Sequence, residues 1–215
     1  MKPPSIVFAI IPMGVTVCQA TTILIDNSTR NGGFETNTNT TYADMATWFN
    51  NSGAQTTAIR SNLPQTGSWA GVVSLSSNPT VDTGHILTAD DAFTLSFGCR
   101  DNATGGNPAI QWQLFYFSNE SAIGFSPLGN TNRVVLATDS VTATSTTYAT
   151  STFTPAAILS GNLGINSTVY LRFSRSTADG QFPVIDDVSL TVIPEPNAAF
   201  LGITGLLALS WRRRR

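Results

Sequence analysis

The sequence predicts an all-β sandwich of about nine short strands, and three observations carry that expectation. Charged residues make up only 11% of the 215, so hydroxyls and amides from the abundant Thr, Ser, Asn and Gly must cover much of the surface. Lys, Glu and Leu are scarce relative to Thr and Val, which lowers helix propensity across nearly every window of the middle region. Apolar residues there recur at a period of two, with Gly and Asn clusters between the runs.

The first element is of a different kind. Lys2 and an apolar stretch from Ile6 to Val17 precede Cys18-Gln19-Ala20, which puts small residues at −3 and −1 of a cut after Ala20. That stretch is too short to span a bilayer, so residues 1–20 are expected to be a cleaved signal peptide. A single domain over 21–193 should follow. Its early strands are expected at Ile23 to Asp26, Thr56 to Arg60 and Val72 to Leu75. Then Phe93, Leu95, Phe97 and Cys99 alternate with polar residues or glycine, as do Ile110, Trp112, Leu114 and Tyr116 with glutamine. Arg133 to Thr138 and Tyr148 to Thr154 come next, followed by the alternations at Val169, Leu171, Phe173 and at Val188, Leu190, Val192. Each run gives a strand with one apolar face. Asn31-Gly32-Gly33, Thr104 to Pro108 and Ala178-Asp179-Gly180 mark turns, while Tyr42 to Thr47 and Pro155 to Leu159 could form a helical turn or two. Strands without helical interludes make a sandwich.

The last element, 194–215, has three parts. Pro194-Glu195-Pro196 leads into an apolar run from Ala198 to Trp211, followed by Arg212, Arg213, Arg214 and Arg215. Fourteen helical residues cover about 21 Å, short of the roughly 30 Å hydrocarbon core. Four arginines kept in the cytoplasm would stop translocation, leaving a short transmembrane helix, with Trp211 at the membrane interface. This order of features resembles the PEP-CTERM sorting signal, a substrate of the membrane protease exosortase in bacteria that make exopolysaccharide. The resemblance implies membrane anchoring before processing, removal of the tail near Pro194 to Pro196, and delivery to the cell surface or extracellular matrix. It does not identify the activity of the domain it carries.

Charge narrows the partners. The formal net charge is −2, but Lys2 and the terminal arginines lie outside the domain. Residues 21–195 hold six Arg and no Lys against thirteen Asp and Glu, a net charge of −7. Such a surface repels phosphate backbones, so nucleic acid is not an expected partner. Removal of Cys18 with the signal leaves Cys99 alone, which excludes an intramolecular disulfide and suits a small buried side chain.

Asn31-Gly32-Gly33-Phe34-Glu35 followed by Trp48, together with the closing Ile185-Asp186-Asp187-Val188-Ser189-Leu190, carries a second resemblance. These segments resemble the opening and closing strands of jelly-roll domains of the galactose-binding-like and carbohydrate-binding-module type. The resemblance implies a jelly roll with neighbouring first and last strands and a structural Ca²⁺ between them. Glu35 and Asp187 match positions that often supply its carboxylates, with Asp186 a further candidate. Calcium takes six to eight hard oxygen ligands, and the alternative is a surface Glu with a solvated turn Asp.

Saccharide binding needs aromatic faces beside amides and carboxylates. Trp69 is the candidate, because Gln65-Thr66-Gly67-Ser68-Trp69-Ala70-Gly71 is turn-rich, with core packing as the alternative. Trp48 and Trp112 are expected in the core. No catalytic constellation is visible. His85 is the sole histidine, in an expected loop, and no G-x-S-x-G elbow accompanies it. Asp90-Asp91 and Asp186-Asp187 are adjacent, which on a regular strand sends the side chains to opposite faces. The sequence therefore points to an exported, non-catalytic carbohydrate-binding protein of the cell surface or exopolysaccharide matrix, the alternative being a structural or adhesive protein without a saccharide site.

Overall fold

The computed structural model describes residues 20–36, 47–49, 59–61, 63–74, 78–118, 132–155, 166–175 and 182–193. The signal segment 1–19, both helical candidates save their end residues Thr47 and Pro155, and the tail 194–215 lie outside the described residues.

Alternating apolar residues fold as strands throughout, and no α-helix occurs among the described residues. In chain order the strands are β1 Thr22–Ile25, β2 Trp48–Phe49, β3 Ile59–Arg60, β4 Ala70–Val72, β5 Thr80–Ile86 and β6 Ala92–Asp101. Then come β7 Ala109–Phe117, β8 Arg133–Thr142, β9 Ala149–Phe153, β10 Thr168–Arg175 and β11 Pro183–Ile193. They form two antiparallel sheets, a jelly-roll sandwich. One sheet runs β3-β4-β11-β6-β9 with β1 also on β11, and the other runs β2-β5-β10-β7-β8.

Two strands go beyond the expected nine. β2 is only two residues long. β5 reads Thr-Val-Asp-Thr-Gly-His-Ile, and its one fully buried aliphatic is Val81. With a left-handed Gly84 (φ +68°) in its middle, it shows none of the alternation that marks the other long strands. His85 therefore lies on a strand rather than in a loop.

The two inner faces meet in one core. Leu95, Phe97 and Cys99 of β6 and Val188, Leu190 and Val192 of β11 face Trp112 and Leu114 of β7 and Leu171 and Phe173 of β10. Phe97 and Phe173 touch edge to face across the sandwich, with ring centroids 4.9 Å apart. Trp48 and Trp112 are both buried there, as is Cys99, whose thiol pKa burial pushes up. Burying each such large apolar side chain is worth about 1.5–3 kcal/mol.

Strand β11 organises the larger sheet. Along one edge it pairs with β6; along the other it pairs with β4 through Val184 and Ile185, and then with β1 through Leu190, Thr191 and Val192. Between these partners the register slips from Asp186 to Ser189, and Asp187 takes a left-handed φ of 48°. This is a β-bulge, and it sits where one neighbour gives way to the next.

Candidate functional site

The bulge collects three segments. Gly32 of the first loop donates its N–H to the Asp26 carbonyl and accepts one from Val188. A Cβ on Gly32 would run into the Val188 carbonyl oxygen, so only glycine lets the loop approach this closely. The loop 65–69 is held by carboxylates. Asp186 Oδ2 accepts the N–H groups of Gln65 (2.7 Å) and Thr66 (3.2 Å), and its Oδ1 accepts that of Asp187 (2.8 Å). Asp187 Oδ1 accepts from Thr66 Oγ1 (2.6 Å) and Asn27 Nδ2 (2.7 Å). Glu35 Oε1 accepts the N–H groups of Ser68 (2.8 Å) and Trp69 (2.9 Å).

The three expected calcium ligands each act as acceptors for the same loop, Asp186 and Asp187 at Gln65 and Thr66 and Glu35 at Ser68 and Trp69. The bulge explains why both aspartates serve the same loop, since it breaks the alternation that would have separated them. Asp186 is fully buried, and desolvation pushes its pKa up to about 6 although three backbone N–H groups oppose the rise. Beside it, Asp26, Asn27, Ser28, Asp187, Val188 and Ser189 line a groove of about 360 Å³. Hydrogen bonds from Thr29 and Ser28 hold the Asp26 carboxyl below its ordinary range. Hard oxygens of the kind Ca²⁺ prefers are present, but among the described residues no three acidic, His or Cys side chains converge.

Trp69 is half-buried and packs against the main core. His85 Nε2 lies 2.7 Å from Oδ2 of the buried Asp91, which also accepts from Thr88 N and Oγ1. Its ring meets Phe93 edge-on.

The outer face of the five-stranded sheet holds the residues that sequence reasoning passed over. Register places Phe49, Thr80, Arg172, Gln113 and Thr138 in one row across all five strands. Asp82, Tyr170, Phe115 and Val135 form the next row. Here Phe115, Phe117 and Tyr170 form a second buried cluster: Phe115 stacks on Tyr170 (5.6 Å), Phe117 meets both edge-on, and the partly buried Phe49 approaches Tyr170 at 6.5 Å. Arg133 sets its guanidinium 5.4 Å from the Phe115 ring centre. A signal for this face was present in the polar positions of two clean alternations, where Gln111 and Gln113 on β7 and Tyr170 and Arg172 on β10 stand among Thr and Ser.

No family model and no curated protein matches the sequence. Solved structures do. The fold is similar to the CBM22-1 xylan-binding domain from Paenibacillus barcinonensis Xyn10C, with TM-score 0.54 and 11% identity over 84% of this chain and 100% of that one. It is similar to a cyclase from Fischerella sp. TAU, with TM-score 0.56 and 14% identity over 83% of this chain and 100% of that one. It is also similar to the CBM22-1-GH10 modules of Clostridium thermocellum xylanase 10B complexed with xylohexaose, with TM-score 0.51 and 16% identity, covering 83% of this chain and 29% of that one. At these identities the likeness is one of fold.

Glu35 acts on the 65–69 loop through two amides, which gives a direct test. In Glu35→Ala, measured in excess chelator, hydrogen exchange at Ser68 and Trp69 should speed up about tenfold, as expected for loss of about 1.4 kcal/mol of local protection. The β6 amides should not change. Unaltered exchange at both loop amides would show that the carboxylate does not hold the loop.

Proposed function

We propose that this chain is an exported protein of the cell surface or extracellular matrix whose jelly-roll domain, 21–193, binds polysaccharide without catalysing a reaction on it. One observation carries the saccharide reading: on the outer face of the five-stranded sheet the partly exposed Phe49 and Gln113 share one row with the exposed Thr138. A pyranose has an apolar ring face and a rim of hydroxyls, and it is matched by rings and multidentate polar groups together. The shared fold with xylan-binding domains supports the same reading.

A structural or adhesive role is favoured by a different surface. On the outer face of the six-stranded sheet Ser189, Ser96 and Thr152 lie in one row and Thr191 and Thr94 in the next, a flat field of hydroxyls. A glycan array probed with the full chain in mild detergent, with and without calcium, separates the two readings. Binding to polysaccharide probes is expected, weakened about tenfold in Gln113→Ala, the loss of about 1.4 kcal/mol typical of one polar contact. Silence in both arms would remove the saccharide reading in favour of the adhesive one.

The export reading rests on the two ends of the chain. Residues 1–20 act as a signal peptide, and Pro194, Glu195 and Pro196 with the apolar run and Arg212 to Arg215 act as an exosortase sorting signal. Neutral substitutions at all four arginines should change the fraction in which the protein accumulates, and Glu195→Ala should leave a larger mass that retains the tail. Processing and release identical to the parent's would overturn the sorting reading.

Calcium belongs to the same proposal as a structural ion between the first loop and β11, with Glu35, Asp187 and Asp186 as side-chain ligands and backbone carbonyls completing the shell. At calcium about 100-fold above its dissociation constant the folded state should gain roughly 2.7 kcal/mol. That gain corresponds to a Tm rise of roughly 5 to 10 °C for a chain of this size. Superimposable melts of the full chain in chelator and in millimolar calcium would sink it.

A further inference from the structure

The loop from Gln65 to Trp69 hangs on three carboxylates. Its residues donate five hydrogen bonds, from the N–H groups of Gln65, Thr66, Ser68 and Trp69 and from Thr66 Oγ1, and all five end on Glu35, Asp186 or Asp187. Gly67, left-handed at φ +65°, turns the loop around the Glu35 carboxylate so closely that a Cβ there would meet it. Gln65, Thr66, Gly67 and Ser68 are exposed, and only Trp69 packs against the main core. Firm anchors lie just outside. Tyr148 Oη donates to the Leu63 carbonyl (2.6 Å) on one side, and Ala70 opens β4, which pairs with β11, on the other. A segment fixed at both ends and tied between them mainly by charged acceptors belongs to the least stable part of a fold.

We infer that calcium and the 65–69 loop compete for Glu35, Asp186 and Asp187, so that an ion taken up there releases the loop and uncovers Trp69. The inference rests on the calcium reading above. Calcium draws its six to eight oxygens to about 2.3–2.6 Å, so the ligands of one ion lie within roughly 5 Å of one another. Among the described residues no three acidic, His or Cys side chains form a group that could hold an ion. The carboxylates must therefore shift to meet around one, and shifting takes them off the amides they now hold. Those amides also oppose the ion directly, because the positive ends of the Gln65, Thr66, Ser68 and Trp69 N–H groups point at the same oxygens. An oxygen relieved of such donors regains its lone pairs for the metal. Competition is reciprocal: whatever loosens the loop must tighten calcium, and the reverse. The consequence falls on Trp69. With its amide held by Glu35 it stays half-buried on the core; released, it offers an aromatic face to solvent, where the apolar face of a pyranose can meet it. The ion is then both a strut between the first loop and β11 and a switch for the tryptophan.

The test uses the full chain in mild detergent and reads Tm and amide hydrogen exchange in excess chelator and in millimolar calcium. Calcium should raise Tm while exchange at Gln65, Thr66, Ser68 and Trp69 speeds up about tenfold or more and the β6 amides do not speed up. Acrylamide quenching of tryptophan emission should rise with it, and that rise should vanish in Trp69→Phe. Thr66→Val cuts one bond to Asp187 and should lower the calcium concentration needed for the Tm rise about fivefold, the effect of one ordinary hydrogen bond. A rise in Tm with the loop amides unchanged or better protected would overturn the competition and leave the calcium reading standing. So would a Thr66→Val chain that needs as much calcium as the parent, or more. Superimposable melts, whatever the exchange, would end both.

Discussion

One strand must serve three neighbours. β11 has β6 along one edge and two successive partners, β4 and then β1, along the other. A regular strand could not change partners there without leaving backbone groups unpaired beside the core, and buried N–H and C=O groups require partners. The bulge from Asp186 to Ser189 resolves this. It lets the first loop accept from Val188 N through Gly32 O, and it turns two carboxylates toward the amides of the 65–69 loop. The left-handed Asp187 is held in place by its side-chain bonds to Asn27 and Thr66, both distant in sequence.

From that junction the constraint passes to the opposite sheet. The first loop ends in Phe34, fully buried against Trp48 with ring centroids 5.2 Å apart. Trp48 Nε1 donates to the carbonyls of Arg30 and Asn31, which ties β2 to the same loop although β2 contributes only two residues. Phe49 follows immediately and is held on the outer face of the five-stranded sheet beside Tyr170. The position of an aromatic on the proposed binding face is therefore set by packing that begins at β11. A similar link runs through Arg30, whose guanidinium lies against the left-handed Gly84 of β5.

Most of the fold was legible because the long strands obey a period of two. β6, the first half of β7 and the second half of β11 bury alternate residues, while β10 buries both faces from Val169 to Phe173, yet the inward apolar positions of all four were readable one by one. The short and polar strands were not. β5 is held by pairing on both sides rather than by its own apolar face, and a two-residue strand leaves no periodic trace. At the site, Glu35, Asp186 and Asp187 were found by likeness to other opening and closing strands, yet their shared service to one loop depends on a bulge that no spacing rule announces. Arg172 was passed over for a different reason. An outward arginine on a strand reads as a solvated charge, and only tertiary packing shows that it is buried, with its Nε unbonded.

The two outer faces then divide the molecule's chemistry. The six-stranded sheet presents Thr and Ser in register, groups that satisfy their hydrogen bonds in water and commit the surface to nothing. The five-stranded sheet carries amides beside a second buried cluster of Phe115, Phe117 and Tyr170, which stabilises the fold by burial. A backbone shared by xylan-binding domains and a cyclase does not dictate which of its faces is used or for what. The side chains do.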